Sequence, residues 1–265
     1  MSSRQDLYPS IRVAPAGAGY QWLRAGFDAV GRSPGVWVGF TALWLAVAVG
    51  LAFVPIAGSI ISGLLGPLVI AAACAGARAQ GEGRLESLNP IIEGFKTAPL
   101  ALVGLGLIVF VASMLAVVLP FGIAIGLSAA RIATDPSFDS GALLNGDTQA
   151  LLSLDPAVLL ALAIPVLLAL MVALLLIAPI LAAYWLAPPL VAFHRVSPWR
   201  ALRLSFMALW RNWRAFTVFG LLLLPATLLA LLPLGLGLLV LIPVTYISIF
   251  VAWRELFEPP SAMPL

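Results

Sequence analysis

His194 is the chain's one histidine, and Ser197 follows three residues on, with Arg195 between them. A histidine base beside a serine hydroxyl could activate a nucleophile. That chemistry also needs a group to orient the base and a glycine-supported turn for the nucleophile. Neither accompanies the pair, so His194 reads as a helix-end residue and not as a catalyst. Cys74 is the only cysteine and lies within an apolar stretch, where a small buried filler is expected and an intrachain disulfide is excluded. One histidine and one cysteine cannot build a zinc site alone. Asp135, Asp139, Asp147 and Asp155 share one segment but lack the alternating acidic loop around a central glycine that a calcium hand requires. No Walker-type phosphate loop occurs. The expectation is a protein with no catalytic residue, cofactor or metal: not an enzyme.

Transport chemistry leaves equally little trace. No Asp, Glu, Lys or Arg interrupts the long apolar runs, although coupled ion pathways usually carry such groups. Ser113, Thr217, Thr227, Thr245, Tyr246 and Ser248 are polar groups available inside them. Isolated hydroxyls of this kind mostly bond to their own helix or bridge two helices.

The solvent for this chain must be lipid. Of its 265 residues, 62% are hydrophobic and only 9% charged, with a mean hydropathy of +1.10. A soluble domain is about 45–50% apolar and about 25% charged. The net charge of +3 does not point to nucleic acid, because the basic residues stand beside apolar runs and form no separate basic domain. Mixed sequence precedes the first apolar run, so no cleavable signal peptide is expected.

Six runs meet the length of roughly 20 residues that a bilayer demands. They lie near Val36–Val54, Ser59–Ala77, Leu100–Leu119, Ala157–Ala178, Ala215–Leu232 and Leu234–Ala252. The fourth could continue to Ala187, and a tilt or kink is expected near Pro179. Phe121–Ala130 is too short to cross and should lie at the interface or dip in partway. Every basic residue except Arg131 falls on one side of these runs. The positive-inside rule then puts both termini in the cytoplasm of a bacterial inner membrane.

The whole chain, 1–265, reads as a single membrane domain built three times from one unit, over about 17–80, 87–195 and 197–257. Each unit opens on an amphipathic segment centred on a small residue followed by Phe: Gly26-Phe27, Gly94-Phe95 and Ser205-Phe206. A span follows, then a tight turn at Pro with Gly close behind, at Pro55, Pro120 and Pro233. A second span returns to Arg78, Arg195 or Arg254. The middle unit holds an insertion over 126–156, expected to be the only sizeable external feature. The fold class is thus an all-α polytopic bundle of six spans, arranged as three interfacial helices with three hairpins.

The amphipathic segments carry the candidate contacts. Tyr20, Leu23, Phe27 and Val30 recur at helical spacing, as do Leu88, Ile92 and Phe95, with Asn89 as cap before Pro90. Leu202, Phe206, Leu209 and Trp213 form the third stripe, opened by Ser197-Pro198. Such helices lie at the headgroups with basic residues toward anionic lipid. This makes Arg24, Arg32, Lys96, Arg200, Arg203, Arg211, Arg214 and Trp213 the expected headgroup or partner contacts. Small-xxx-small ridges at Gly31-Gly35-Gly39, Gly122-Gly126 and Ser59-Gly63 would permit close helix packing or a homo-oligomer.

Several of these residues also carry a likeness. Val13-Ala14-Pro15-Ala16-Gly17, Gly19-Tyr20-Gln21-Trp22-Leu23, Gly26-Phe27 and Ser33-Pro34 resemble a family of bacterial six-span membrane proteins of unknown function. So do Leu202-Arg203-Leu204-Ser205-Phe206 and Arg211-Asn212-Trp213. The architecture is more loosely similar to the membrane domain beside some glycerophosphodiester phosphodiesterases, whose catalytic domain is absent from this sequence. The resemblance implies fold and location and no activity. The expected function is an accessory or assembly subunit of a membrane complex, or an organiser of anionic lipid. The alternative is a transporter or channel for a small or amphiphilic substrate.

Overall fold

The computed structural model describes residues 10–134 and 156–259, and every regular element among them is a helix. In chain order these are α1 (Ala18–Arg32), α2 (Pro34–Ala52), α3 (Ala57–Gly81), α4 (Asn89–Gly94) and α5 (Pro99–Thr134). They are followed by α6 (Pro156–Trp185), α7 (Ala187–His194), α8 (Pro198–Arg211), α9 (Trp213–Leu231) and α10 (Leu238–Phe257). Six stretches are long and apolar enough to cross a membrane: Pro34–Ala52, Ala57–Gly81, Pro99–Arg131, Ala163–His194, Trp213–Leu231 and Leu238–Phe257. The six expected spans are therefore present, each near its expected place. The four aspartates singled out above lie outside the described residues or at their edge.

Internal contacts divide the chain into two compact units, one of Met1–Phe110 with Leu181–Leu265, the other Val111–Ile180. In the larger unit α3 and α10 form the centre. Each of the two packs on α2 and α7 as well as on the other. About half of each is buried, 56% of α3 and 50% of α10, against 17% of α2 and of α9. The buried lining is mostly small: Ala71, Ala72, Ala73 and Cys74 on α3, and Ser248 and Ala252 on α10. Small residues let helix backbones approach, which is the main source of packing energy where lipid already solvates apolar side chains.

Two of the three expected Pro-Gly turns exist. Ile56 (φ 63°) turns α2 into α3, and Leu234 (φ 53°) with Gly235 (φ 82°) turns α9 into α10. A Cβ on Gly58 would lie 1.8 Å from the Leu51 carbonyl oxygen, and one on Gly237 would lie 2.5 Å from Ala230 Cα. Both glycines are what allows the returning helix to start so close to the outgoing one. The third expected turn, at Pro120, is absent: α5 runs through Pro120 to Thr134 as one 36-residue helix. Phe121–Ala130 is thus not a separate piece but the continuation of α5, and the expected insertion over 126–156 is helical as far as Thr134. Phe121–Ala130 is itself apolar, and in hydrocarbon a helix satisfies its backbone polar groups where a turn would leave them bare. Pro120 removes only one internal hydrogen bond.

α6 contains Pro165 and Pro179 and continues past both. It ends at Trp185, shortly before Pro188 and Pro189, where two missing N–H groups prevent the ladder from continuing. In the smaller unit, α5 and α6 turn Ala124 and Ala169 inward. Leu119, Pro120, Ile123, Pro165, Leu168 and Val172 help to line an apolar cleft of about 370 Å³.

Candidate functional site

Each of the three amphipathic helices sits on a transmembrane helix through the small residue of its small-Phe pair. A Cβ on Gly26 of α1 would lie 2.5 Å from the Val244 carbonyl oxygen and 2.7 Å from Ser248 Oγ on α10. One on Gly94 of α4 would lie 2.6 Å from Ala72 Cα on α3. In α8 the small residue is Ser205, whose hydroxyl donates to the Ala182 carbonyl (3.1 Å) and accepts from the Leu186 N–H (3.0 Å). Ser205 thereby satisfies both backbone groups left open where α6 breaks. Every amphipathic helix thus docks on the returning helix of another hairpin: α1 on the third, α4 on the first, α8 on the second.

Two side-chain amides lock the junctions. Asn212, between α8 and α9, accepts from the Ala14 N–H (2.7 Å) and donates to the carbonyls of Arg12 (3.0 Å) and Ala208 (2.9 Å). Gln80, at the end of α3, accepts from Trp37 Nε1 (3.1 Å) and donates to Ala29 O (2.8 Å) and Ser33 Oγ (3.2 Å). Each fills both kinds of amide capacity, so neither leaves a costly open group. Around them, Trp22 Nε1 donates to Glu255 (2.6 Å). Arg78 pairs with Glu258 at 2.9 Å while its guanidinium lies 4.1 Å from the Phe193 ring centre. Arg12 donates to the Glu258 carbonyl. Several of the residues that carried the likeness, among them Ala14, Trp22, Gly26, Ser33, Ser205 and Asn212, belong to this clamp.

Several hydroxyls within the spans are satisfied locally. Thr217, Thr227 and Thr245 donate to the carbonyl four residues back, at 2.8, 2.8 and 2.9 Å. The Ser248 hydroxyl shares its proton between Val244 O and Trp22 O. His194 packs edge-on against Trp253, ring centres 5.2 Å apart, and its Nδ1 is buried without a hydrogen-bond partner. No group therefore orients this imidazole as a base. Among the described residues no three His, Cys, Asp or Glu side chains come together.

The outward face differs from the stripes expected of the sequence. In α1 the stripe is divided: Leu23 and Val30 are buried but Tyr20 and Phe27 are exposed, and the inner face is completed by Ala18, Gly19, Trp22, Gly26 and Ala29. In α4 the buried residue is Ile91 at 1% exposure, while Ile92 is 50% exposed, and the helix begins at Asn89 with Leu88 as its cap. In α8, Leu202 is buried, but Phe206 and Trp213 face outward. The reason is common to all three. A helix docking on another backbone needs its small residues inside, and large aromatics lose nothing by facing lipid.

This leaves one continuous outer surface on α8. Trp199, Arg203, Phe206 and Trp210 follow one another at spacings of four, three and four, with Trp199 and Trp210 70% and 72% exposed. Phe206 and Trp210 stack with ring centres 6.3 Å apart. Arg200 and Arg211 are exposed beside the stripe. Just beyond Asn212 the exposed Arg214 guanidinium lies 5.5 Å from the Trp213 ring centre. Of the other expected contacts, Arg24 is exposed 3.8 Å from Asp28, Arg32 is exposed at the end of α1, and Lys96 lies 3.4 Å from Glu93. The five residues from α8 and its junction are exposed along one stretch; Arg24 and Arg32 stand on α1, and Lys96 in the turn after α4. Trp199 and Trp210 were missed, although their spacing to Arg203 and Phe206 was readable as a second, outer stripe.

Comparison with known proteins gives one informative likeness. The chain is 29% identical over 223 residues to a probable inner membrane protein of Burkholderia thailandensis, covering 78% of this chain and 72% of that protein. No family model matches, and no solved structure matches. With six helices capable of spanning, the protein is a multi-pass inner membrane protein.

Proposed function

We propose that the protein is a non-enzymatic organiser of anionic phospholipid at the cytoplasmic leaflet, with both termini on that side. The observation that carries the reading is the outer face of α8 and its junction: Trp199, Trp210 and Trp213 interleaved with Arg200, Arg203, Arg211 and Arg214. Tryptophan settles at the boundary between acyl chains and headgroups. Guanidinium groups at that depth meet lipid phosphates, for which their planar forks of donors are suited. Each basic residue near an anionic surface contributes about 1 kcal/mol. The clamp of Asn212, Ser205 and Arg12 holds α8 rigidly on its supports, so the face is presented without an ordering cost at the moment of binding. Arg24 and Lys96 add less because Asp28 and Glu93 stand beside them.

The test replaces Arg200, Arg203, Arg211 and Arg214 together by Gln and measures which lipids remain after mild extraction from mixed anionic and zwitterionic vesicles. Anionic lipid should fall several-fold relative to the unaltered protein while zwitterionic lipid stays unchanged. Equal retention of anionic lipid by the variant would end the proposal. A stoichiometric foreign protein retained by native mass spectrometry, lost in the same variant, would reassign the face to an accessory-subunit interface.

A further inference from the structure

In the larger unit a groove of about 200 Å³ lies between α2, α3 and α4, and every residue that lines it is apolar or aromatic. Its floor is buried, formed by Phe40 of α2, Val69 of α3 and Ile91 of α4. Its rim is exposed, formed by Leu43 and Val47 of α2 and Ile92 of α4. The groove is therefore a depression in the packing of three helices and not a flat apolar face.

The depth of the groove in the membrane follows from α3. Gly94 of α4 packs on Ala72, where an added Cβ would lie 2.6 Å from Ala72 Cα. From that level the groove reaches to Leu65, roughly 10 Å further along α3. One leaflet's share of the hydrocarbon core is about 15 Å. An amphipathic helix lies at the boundary between headgroups and chains, so the groove starts at that boundary and follows most of one leaflet inward. This is the path of an acyl chain. In a multi-pass membrane protein the molecules beside such a groove are lipids, and a gap left there would forfeit the dispersion contacts of its lining.

The charges next to the groove select among lipids. Glu93 and Lys96 directly follow the lining residues Ile92 and Phe95 in the chain, and both are exposed, with Lys96 Nζ 3.4 Å from Glu93 Oε1. A carboxylate beside the ammonium opposes a headgroup that is only anionic. The same pair complements a headgroup that carries both a phosphate and a cation. A primary ammonium adds N–H donors for the carboxylate, which a trimethylated one lacks. We infer that the groove binds one acyl chain of phosphatidylethanolamine, whose phosphate meets Lys96 and whose ammonium meets Glu93. The inference does not rest on the reading of α8: the four Arg→Gln changes there should leave this site unaltered.

The test places the full chain in vesicles of phosphatidylethanolamine, phosphatidylcholine and phosphatidylglycerol, one of the three carrying a photoreactive diazirine midway along an acyl chain. After illumination, peptide mass spectrometry locates the labelled residues. Leu224 and Leu228 on the exposed face of α9 report ordinary lipid contact. The ethanolamine lipid should label Val47 or Leu65 several-fold more than α9, and the other two lipids should not. Glu93→Gln together with Lys96→Gln should bring the ethanolamine lipid down to the level of the other two. Groove labelling no stronger than on α9, equally strong with all three headgroups, or unmoved by the paired change would each overturn the inference.

Discussion

In the larger unit a methyl group added at Gly26 would sit 2.5 Å from the Val244 carbonyl oxygen, whereas one added at Gly122 in the Val111–Ile180 hairpin would meet nothing within 4 Å. The two glycines look alike in sequence, each a helical residue followed by a large apolar one. Gly26 has a backbone against it, and Gly122 faces open space. The difference runs through the two units. In the larger one, small residues bring helices into backbone contact, and buried polar side chains satisfy the groups exposed at breaks and junctions. Among the described residues of the hairpin the buried ones are alanines, and most of the exposed surface is large and apolar. Close packing with polar locks fixes one arrangement of neighbours, while an apolar face without such locks does not.

The comparison can be broken most directly at its tightest contacts. Gly19→Ala and Gly26→Ala each place a methyl group against backbone, at 2.1 Å from the Ala215 oxygen in the first case. Each should destabilise the fold by about 3 kcal/mol, the upper end for overpacking, because a backbone cannot rotate away as a side chain can. Unfolding in a fixed detergent or lipid mixture measures this, and a loss under about 0.5 kcal/mol would show that α1 shifts freely on its supports.

Asn212→Ala should come next. It removes the acceptor of the Ala14 N–H and both donors to Arg12 and Ala208. The expected loss is about 1–3 kcal/mol from groups left open. Protease sensitivity of the segment before α1 should rise in step, since that segment is tied down through Ala14 and Arg12. Unchanged cleavage there would show that the amide does not hold the junction. The smallest effect belongs to the hairpin. Gly122→Ala should leave the fold intact and raise its stability by about 0.5–1 kcal/mol, through helix propensity alone. A clear loss of stability would place a close neighbour over Gly122 and erase the contrast with Gly26.

The sequence was read correctly where lipid solvation alone decides. A run such as Leu100–Leu119 has no soluble alternative, so span count and helix class follow from length and apolarity. The turns at Pro55 and Pro233 were legible because Gly58 and Gly235 stand close behind. Pro120 looked the same, but the turn there was not formed, because the residues beyond it are as apolar as those before it. The amphipathic stripes failed for a different reason. Periodicity put Tyr20, Phe27, Ile92 and Trp213 on single apolar stripes with Leu23, Leu88 and Leu202, without saying which helix face is buried, and the buried face belongs to Gly26, Ile91, Gly94 and Ser205.

What composition and charge determined alone was the solvent, the class of fold and the number of crossings, since these depend on one residue's transfer free energy at a time. Which residue meets which was decided only in three dimensions. Gln80 reaching Trp37, Asn212 reaching Ala14 and Ser205 closing the break at Leu186 each join segments separated by many residues. Their partners are mostly backbone groups, which every residue carries and no sequence pattern marks.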